Sequence, residues 1–282
     1  MILHIEDGRI GNQLFQYVGL KKYFPKENLF FLGSENFQKL FKNIDGYFLF
    51  NKKVKPLYFY LIVRIILFLT KIRFLGRIYE DISSNYKIYI KRGILWKIFI
   101  SYNNYFQHQE SIDEIKNPPV LKFKIRKKGL EWLKKKRINL KKNKIVFVHI
   151  RRTDYLYTPS NRFPGVLNIS WYKKMMNLVK TKIQNPIFVI MGDDHYYLQD
   201  CFKSSNTIFI SENKFEIDLS IMTYCVAGIL SPSSFAWWGA FYACKYNLNL
   251  KFFFIGPKYW LGHREKKWIP QNFYTKWITF VE

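Results

Sequence analysis

Residues 144–155 read Lys144-Ile145-Val146-Phe147-Val148-His149-Ile150-Arg151-Arg152-Thr153-Asp154-Tyr155. Six residues in a row, Ile145 to Ile150, are apolar or β-branched apart from His149, with no alternation of polar positions. A strand of that kind is covered on both faces, as in a parallel sheet flanked by helices. The residues downstream repeat the theme. Strands are predicted at Pro186–Met191, Thr207–Ile210, Val226–Leu230 and Lys251–Ile255. Helices are predicted between them: one capped by Ser170 and carrying Trp171, Met175, Leu178 and Val179, then short ones near 195–202, at Phe215–Cys225 and at 233–245. Strands alternating with helices specify an α/β domain with a doubly wound parallel sheet.

Upstream, the chain opens on a strand (Ile2–Ile5), a loop from Gly8 to Gly11, and a helix with Leu14, Phe15, Val18 and Tyr23 at helical spacing. Residues 51–120 show a helix over 57–73 and no clean strand pattern. Asn117-Pro118-Pro119 marks a break, and a basic helix is predicted over 126–138. The expected fold is therefore two α/β domains. Residues 1–140 form a first, smaller one, and residues 141–282 form the doubly wound second.

The formal charge is +26, of which +17 lies in residues 51–142 and only +8 in residues 143–282. A hydrophobic content of 49% excludes a disordered polybasic chain. The charge points to an anionic partner, or in part to a bias toward AT-rich codons, since Ala occurs only four times. The apolar stretch Leu57–Leu69 is broken by Arg64 and flanked by Lys52, Lys53, Lys55, Lys71, Arg73 and Arg77. It is too short for a spanning helix, which leaves a core helix or one lying on an anionic membrane surface. The start, Met1 to Asp7, lacks the features of a secretory signal. Three cysteines without metal-ligand spacing read as reduced thiols. A cytoplasmic protein, soluble or peripheral on the inner face of the plasma membrane, is expected.

In doubly wound sheets ligands sit beyond the carboxyl ends of the strands, against helix N-termini. At those ends stand Gly8-x-x-Gly11-Asn12-Gln13, then His149-x-Arg151-Arg152-x-Asp154, then Asp193-Asp194, then Ser233-Ser234-Phe235. Two guanidinium groups after a buried strand can clamp a diphosphate through paired hydrogen bonds. Asp154 can orient one of them or accept a proton. Asp193 and Asp194 can bind a metal, bond a ribose or base, or cap the next helix. Ser233 and Ser234 at a helix start can bind phosphate or simply cap. The chain has neither a G-x-x-x-x-G-K-[ST] loop nor a D-x-D, so a sugar nucleotide held without metal fits better than ATP.

These motifs, with Asp218-Leu219-x-x-Met222-x-x-Cys225 and Trp237-Trp238-Gly239-Ala240, occur in order from residue 8 to about 240. Together they resemble glycosyltransferase family 11, the α-1,2-fucosyltransferases. The resemblance implies two Rossmann-like domains in a GT-B-like arrangement. It implies inverting transfer of fucose from GDP-β-L-fucose to a sugar 2-hydroxyl, usually of galactose in a surface glycan such as lipopolysaccharide or capsule. No metal or other cofactor is expected. By that resemblance, Arg151 and Arg152 hold the pyrophosphate; Asp154, the first candidate for a general base or else an orienting partner of the arginines, completes the expected catalytic set. Asp193 and Asp194 lie near the guanosine, and His149 lines the nucleotide pocket. Ser233, Ser234 and Phe235 bracket the phosphate, while Gly8, Gly11, Asn12 and Gln13 close the site from the first domain. Glu216 and Asp218 are weaker candidates for a general base. The first domain is the acceptor side, with its basic region facing a glycolipid acceptor or membrane. Departures are Asp7-Gly8-Arg9 where Gly-Gly-Leu is common, Gly192 where Ser is common, and Pro232 where Asn is common.

Two alternatives stand beside this reading. One is another GDP-sugar glycosyltransferase of similar fold. The other is a basic nucleic-acid- or membrane-binding protein. Nucleic acid is the less expected partner, because the arginines cluster at strand ends rather than along a groove.

Overall fold

A computed structural model describes residues 1–50, 56–81, 87–112, 115–158, 164–248, 251–263, 269–270 and 274–282. Lys52, Lys53 and Lys55 lie outside the described residues. The chain divides into two compact units, Met1–Lys122 and Phe123–Glu282.

The first unit contains β1 (Ile2–Ile5), α1 (Ile10–Tyr23), β2 (Leu29–Leu32), α2 (Glu35–Leu40), β3 (Phe41–Lys42) and β4 (Tyr47–Leu49). It continues with α3 (Pro56–Lys71), β5 (Leu75–Asp81), β6 (Lys87–Lys91), β7 (Leu95–Ser101), α4 (Gln109–Ile112) and β8 (Val120–Leu121). Its main sheet runs β4-β2-β1-β7-β5-β6 and is parallel except for the edge strand β6. Strands β5, β6 and β7 occupy the stretch where no strand pattern was legible. The reason is exposure: β6 is exposed at Lys87 and from Tyr89 to Lys91, and the first half of β7 is exposed too. Ile5, Leu32, Phe59, Leu75 and Ile100 form a core onto which one side of α3 packs through Ile62, Val63, Ile66 and Leu67.

The second unit contains α5 (Phe123–Lys135), β9 (Lys144–Ile150), α6 (Ile169–Lys182), β10 (Pro186–Gly192), α7 (His195–Cys201), β11 (Ile208–Ile210) and α8 (Phe215–Met222). It ends with β12 (Ala227–Ile229), α9 (Ser234–Tyr246), β13 (Phe253–Pro257), β14 (Tyr259–Leu261), β15 (Ile269–Pro270) and β16 (Ile278–Val281). Its six-stranded sheet runs β11-β10-β9-β12-β13-β16, all parallel. Counting only the six strands of this sheet, that order is 3-2-1-4-5-6, the dinucleotide-binding order. Strand β9, buried from Ile145 to Ile150, lies at its centre as its unbroken apolar run requires.

The division between units falls at Lys122/Phe123 rather than after residue 140. Helix α5 belongs with the second unit because Gly129 lets it touch α8. A Cβ there would stand 2.3 Å from Ser220 Oγ and 2.8 Å from the backbone N of Ile221. Gly129 N–H donates to Ser220 Oγ, which donates in turn to the Arg126 carbonyl. All four alanines, Ala227, Ala236, Ala240 and Ala243, are fully buried. Ala236, Ala240 and Ala243 lie on α9, whose Gly239 presses against Met222. Helix α6 is capped by Asn168, not Ser170: Asn168 Oδ1 accepts from the backbone N–H of Ser170.

Candidate active site

In a 3-2-1-4-5-6 sheet the strand order reverses between β9 and β12, and the crevice outside their carboxyl ends is the ligand position. Strand β9 delivers His149, Arg151 and Arg152 there, and β12 runs into Ser231 and Ser233. The β9–β12 pairing sets His149 beside Ser231, with Nδ1 2.7 Å from the Ser231 Oγ. The His149 ring also lies 5.4 Å from that of Phe235. Burial lowers the His149 pKa to about 4, a shift partly opposed by the Asp193 charge, so the ring is neutral at physiological pH.

The β9–β10 register places Gly192 opposite Ile150, so the Arg151-Arg152 and Asp193-Asp194 pairs leave the sheet side by side. Arg151, 9% exposed, donates through one terminal nitrogen to Asp193. Its other terminal nitrogen stands 2.5 Å from Asp154. Arg152 donates its backbone N–H to Asp193 Oδ1 at 2.9 Å and its Nε–H to Asp194 Oδ2 at 3.1 Å. Thr153 Oγ1 donates to Asp193 at 2.6 Å. Tyrosine faces hold the two guanidinium planes, Tyr155 at 5.1 Å from Arg151 and Tyr197 at 3.8 Å from Arg152.

Asp194 has a second task. It caps α7, its Oδ1 accepting from Tyr197 N–H at 3.1 Å. The two carboxylates read from sequence as metal, ribose or capping groups are here the fixed partners of both arginines. A guanidinium has five N–H donors in a planar fork. Among the described residues, Arg152's ion pair with Asp194 engages Nε alone. Among the described residues its two terminal nitrogens show no ion pair.

Ser233 occupies the N-cap of α9 but its side chain makes no capping bond, and the first turn of the helix contains no acidic residue. The helix end therefore keeps its positive character. Phe235 packs edge-on against Phe215, and Ser234 is half-buried. Asp218 and Glu216 lie in the first turn of α8. The Asp218 carboxylate accepts from Ser211 Oγ inside the fold. Burial raises its pKa from 3.8 to about 8, the Ser211 hydrogen bond opposing the shift.

That shift has a stability consequence. The fold favours protonated Asp218, so stability is full near pH 4 and declines as pH rises through 8. Asp218→Asn is expected to remove this decline and to melt higher than the natural chain at pH 8. Thermal unfolding between pH 5 and 9 measures it, and a melting difference independent of pH would contradict the assignment.

The first-unit residues form the β1–α1 turn. Gly8 has φ +73°, and a Cβ on it would stand 2.5 Å from Asn12 Nδ2, so a tight turn requires glycine there. Asn12 Oδ1 accepts from Gln107 Nε2, Gln13 Nε2 donates to Glu6 and to the Gly8 carbonyl, and Gly11 is buried at the start of α1.

Sequence reasoning did not single out Thr153, Tyr197 or Ser231. Ser231 was the most findable of the three, being the first residue after an apolar strand. Thr153 and Tyr197 announce themselves only once β9 and β10 are known to be neighbours.

The model of glycosyl transferase family 11 matches residues 6–253. The chain belongs to that family. This family 11 glycosyltransferase is 27% identical to an alpha-1,2-colitosyltransferase of Escherichia coli, over 92% of the chain and 91% of that protein. It is 30% identical to rat (Rattus norvegicus) galactoside alpha-(1,2)-fucosyltransferase 1, over 35% of the chain and 28% of that protein. Its fold is similar to POFUT1 crystallised with GDP, at a TM-score of 0.51 and 13% identity, covering 90% of this chain and 97% of that one. The α/β, GT-B-like fold of two Rossmann-like units agrees with the expectation from sequence.

Proposed function

We propose that this glycosyltransferase carries out inverting transfer of L-fucose from GDP-β-L-fucose to the 2-hydroxyl of a galactose residue in a surface glycan. The observation that carries the reading is the arginine pair at the β9 end, held by Asp193, Asp194 and Asp154, with β9 paired to β12, the strand that leads into α9 and its N-cap without a side-chain bond. In this reading the acceptor hydroxyl attacks the anomeric carbon opposite the leaving GDP, through an oxocarbenium-like transition state. Negative charge grows on the β-phosphate as the bond breaks. Donors already aimed at it stabilise the transition state without reorganising, and each is worth on the order of 3 kcal/mol.

The Arg152 guanidinium takes a pyrophosphate oxygen, and the α9 N-terminus with Ser233 and Ser234 takes another. Arg151 is more deeply engaged and shapes the loop. Asp154, beside Arg151, is an orienting group rather than the base in this scheme. Asp218 is buried and bonded to Ser211 inside the fold, so it is not the base in this scheme. Neutral His149 and Phe235 wall the pocket. Binding rests on guanidinium and helix N–H groups, so the reaction runs without a divalent metal.

A second reading concerns the donor. The relative that aligns over nine-tenths of the chain is a colitosyltransferase. Colitose is fucose without its 3-hydroxyl, so GDP-colitose would use the same diphosphate contacts. Release of GDP from GDP-fucose, GDP-colitose and GDP-mannose, with a galactose-terminated acceptor, separates the cases. The proposal expects GDP-fucose to give the highest kcat/KM. A preference for GDP-colitose would move the assignment to the second reading, and a preference for GDP-mannose would overturn both.

A further inference from the structure

The positive charge concentrated outside the candidate site has its own geometry. Within the first unit, a cavity of about 430 Å³ is lined by Lys71, Arg73, Arg77, Lys91 and Arg92, together with Asn103. Among the described residues no carboxylate lines it. Arg77 and Lys91 are direct cross-strand partners on β5 and β6, an arrangement that is repulsive without an anion between them. Arg73 follows α3 in the left-handed conformation (φ +60°), where the helix terminates and the chain turns back into the sheet.

Next to this cavity the apolar surface is uncovered. The inward side of α3 packs on the core, yet its outward side is also largely apolar, interrupted by Arg64. Leu57, Leu61, Ile65, Phe68 and Ile72 recur at helical spacing and are all exposed, Leu57 at 78% and Phe68 at 60%. The patch continues past the helix end. Ile94 N–H bonds the Arg73 carbonyl and Leu95 N–H bonds that of Phe74, which brings Ile94 (71% exposed) and Trp96 (62%) to the same corner. Single exposed apolar residues are ordinary, but a connected stripe of this kind marks an interaction surface.

We propose that this face docks on an anionic phospholipid bilayer, α3 lying in the interface and the cationic pocket holding a lipid phosphate. Charge and shape argue for that occupant together. A helix apolar on most of its surface, with Arg64 exposed midway and cations at its end, suits the boundary between headgroups and acyl chains. At 16 residues α3 is about 24 Å long, shorter than the roughly 30 Å hydrocarbon layer. Among the described residues no helix is long and apolar enough to cross a membrane. A nucleic acid would use the five cations but gain nothing from Leu61 and Phe68.

Sedimentation of the full chain with vesicles tests this, comparing pure phosphatidylcholine with phosphatidylcholine containing one-third phosphatidylglycerol. Partitioning is expected to be at least tenfold stronger on the anionic vesicles and to weaken with added salt. Arg73→Glu with Arg77→Glu should lower it at least tenfold, since each cation near such a surface contributes about fivefold. Leu61→Ser with Phe68→Ser should lower it comparably while leaving the charge intact. All four side chains are exposed at the surface, and thermal unfolding verifies that each variant is folded. Millimolar inorganic phosphate should displace little protein. Equal binding to neutral vesicles would overturn the proposal, as would indifference to the Leu61/Phe68 pair. So would complete displacement by phosphate, or tighter binding to an oligonucleotide that depends on the arginines alone.

Discussion

Arg152→Ala is expected to lower kcat/KM with GDP-fucose about 100- to 1000-fold while leaving the melting temperature nearly unchanged. The two halves of that expectation have separate causes. The lost activity is the loss of one preorganised donor on the leaving diphosphate, on the order of 3 kcal/mol. The small stability change follows from exposure. The Arg152 and Asp194 side chains are 26% and 29% exposed, and a pair so open to water contributes at most about 1 kcal/mol. Asp194 keeps its cap on α7 without the arginine. Steady-state kinetics and a thermal melt on one preparation check both halves. A folded variant with near-natural turnover would remove Arg152 from the reaction.

Asp193→Ala should behave differently, losing stability as well as activity. Asp193 accepts from Arg151, from the Arg152 backbone N–H and from Thr153 at once. Removing it leaves the buried Arg151 with Asp154 as its remaining ion-pair partner among the described residues. Breaking a buried pair by deleting one member costs about 3 kcal/mol. In a unit of this size that is a drop in melting temperature of roughly 6–12 °C. Activity should fall at least 100-fold, because the Arg151 side chain loses one of its two carboxylate partners and the Arg152 backbone loses its anchor. A variant that melts with the natural chain would show that Asp193 does not organise the loop.

The contrast between these two carboxylates was not legible in the chain. Asp193 and Asp194 are adjacent, equally acidic and followed by a helix, so metal binding, ribose binding and capping were all open. Their real partners lie about forty residues upstream, reached only because β10 pairs with β9 in the register Gly192–Ile150. By contrast, β9 and β10 were readable almost to the residue, since strands buried on both faces leave continuous apolar runs. Strands β5 to β7 were not. Lys87-Ile88-Tyr89-Ile90-Lys91 sits at a sheet edge where burial imposes little pattern. Strand β16 was likewise missed, a four-residue segment after an aromatic loop. Helix α5 was foreseen but assigned to the wrong unit, because its anchor is Gly129 against Ser220, a contact between segments some ninety residues apart.

Charge drew attention first to an anionic partner of any kind, and two groups of cations differ in the structure. The arginines of the candidate site are already paired with aspartates, so that site is nearly charge-balanced. Five cations line the first-unit cavity, with no carboxylate beside them among the described lining residues.

The most direct test of the account is the product itself. The purified chain is incubated with GDP-β-L-fucose and a galactose-terminated glycan in the presence of EDTA, and the product is examined by NMR. The account predicts a single new α-linked fucose on the galactose 2-hydroxyl, formed at the same rate without metal. A β-linkage, attachment at another hydroxyl, or a reaction abolished by EDTA would contradict it.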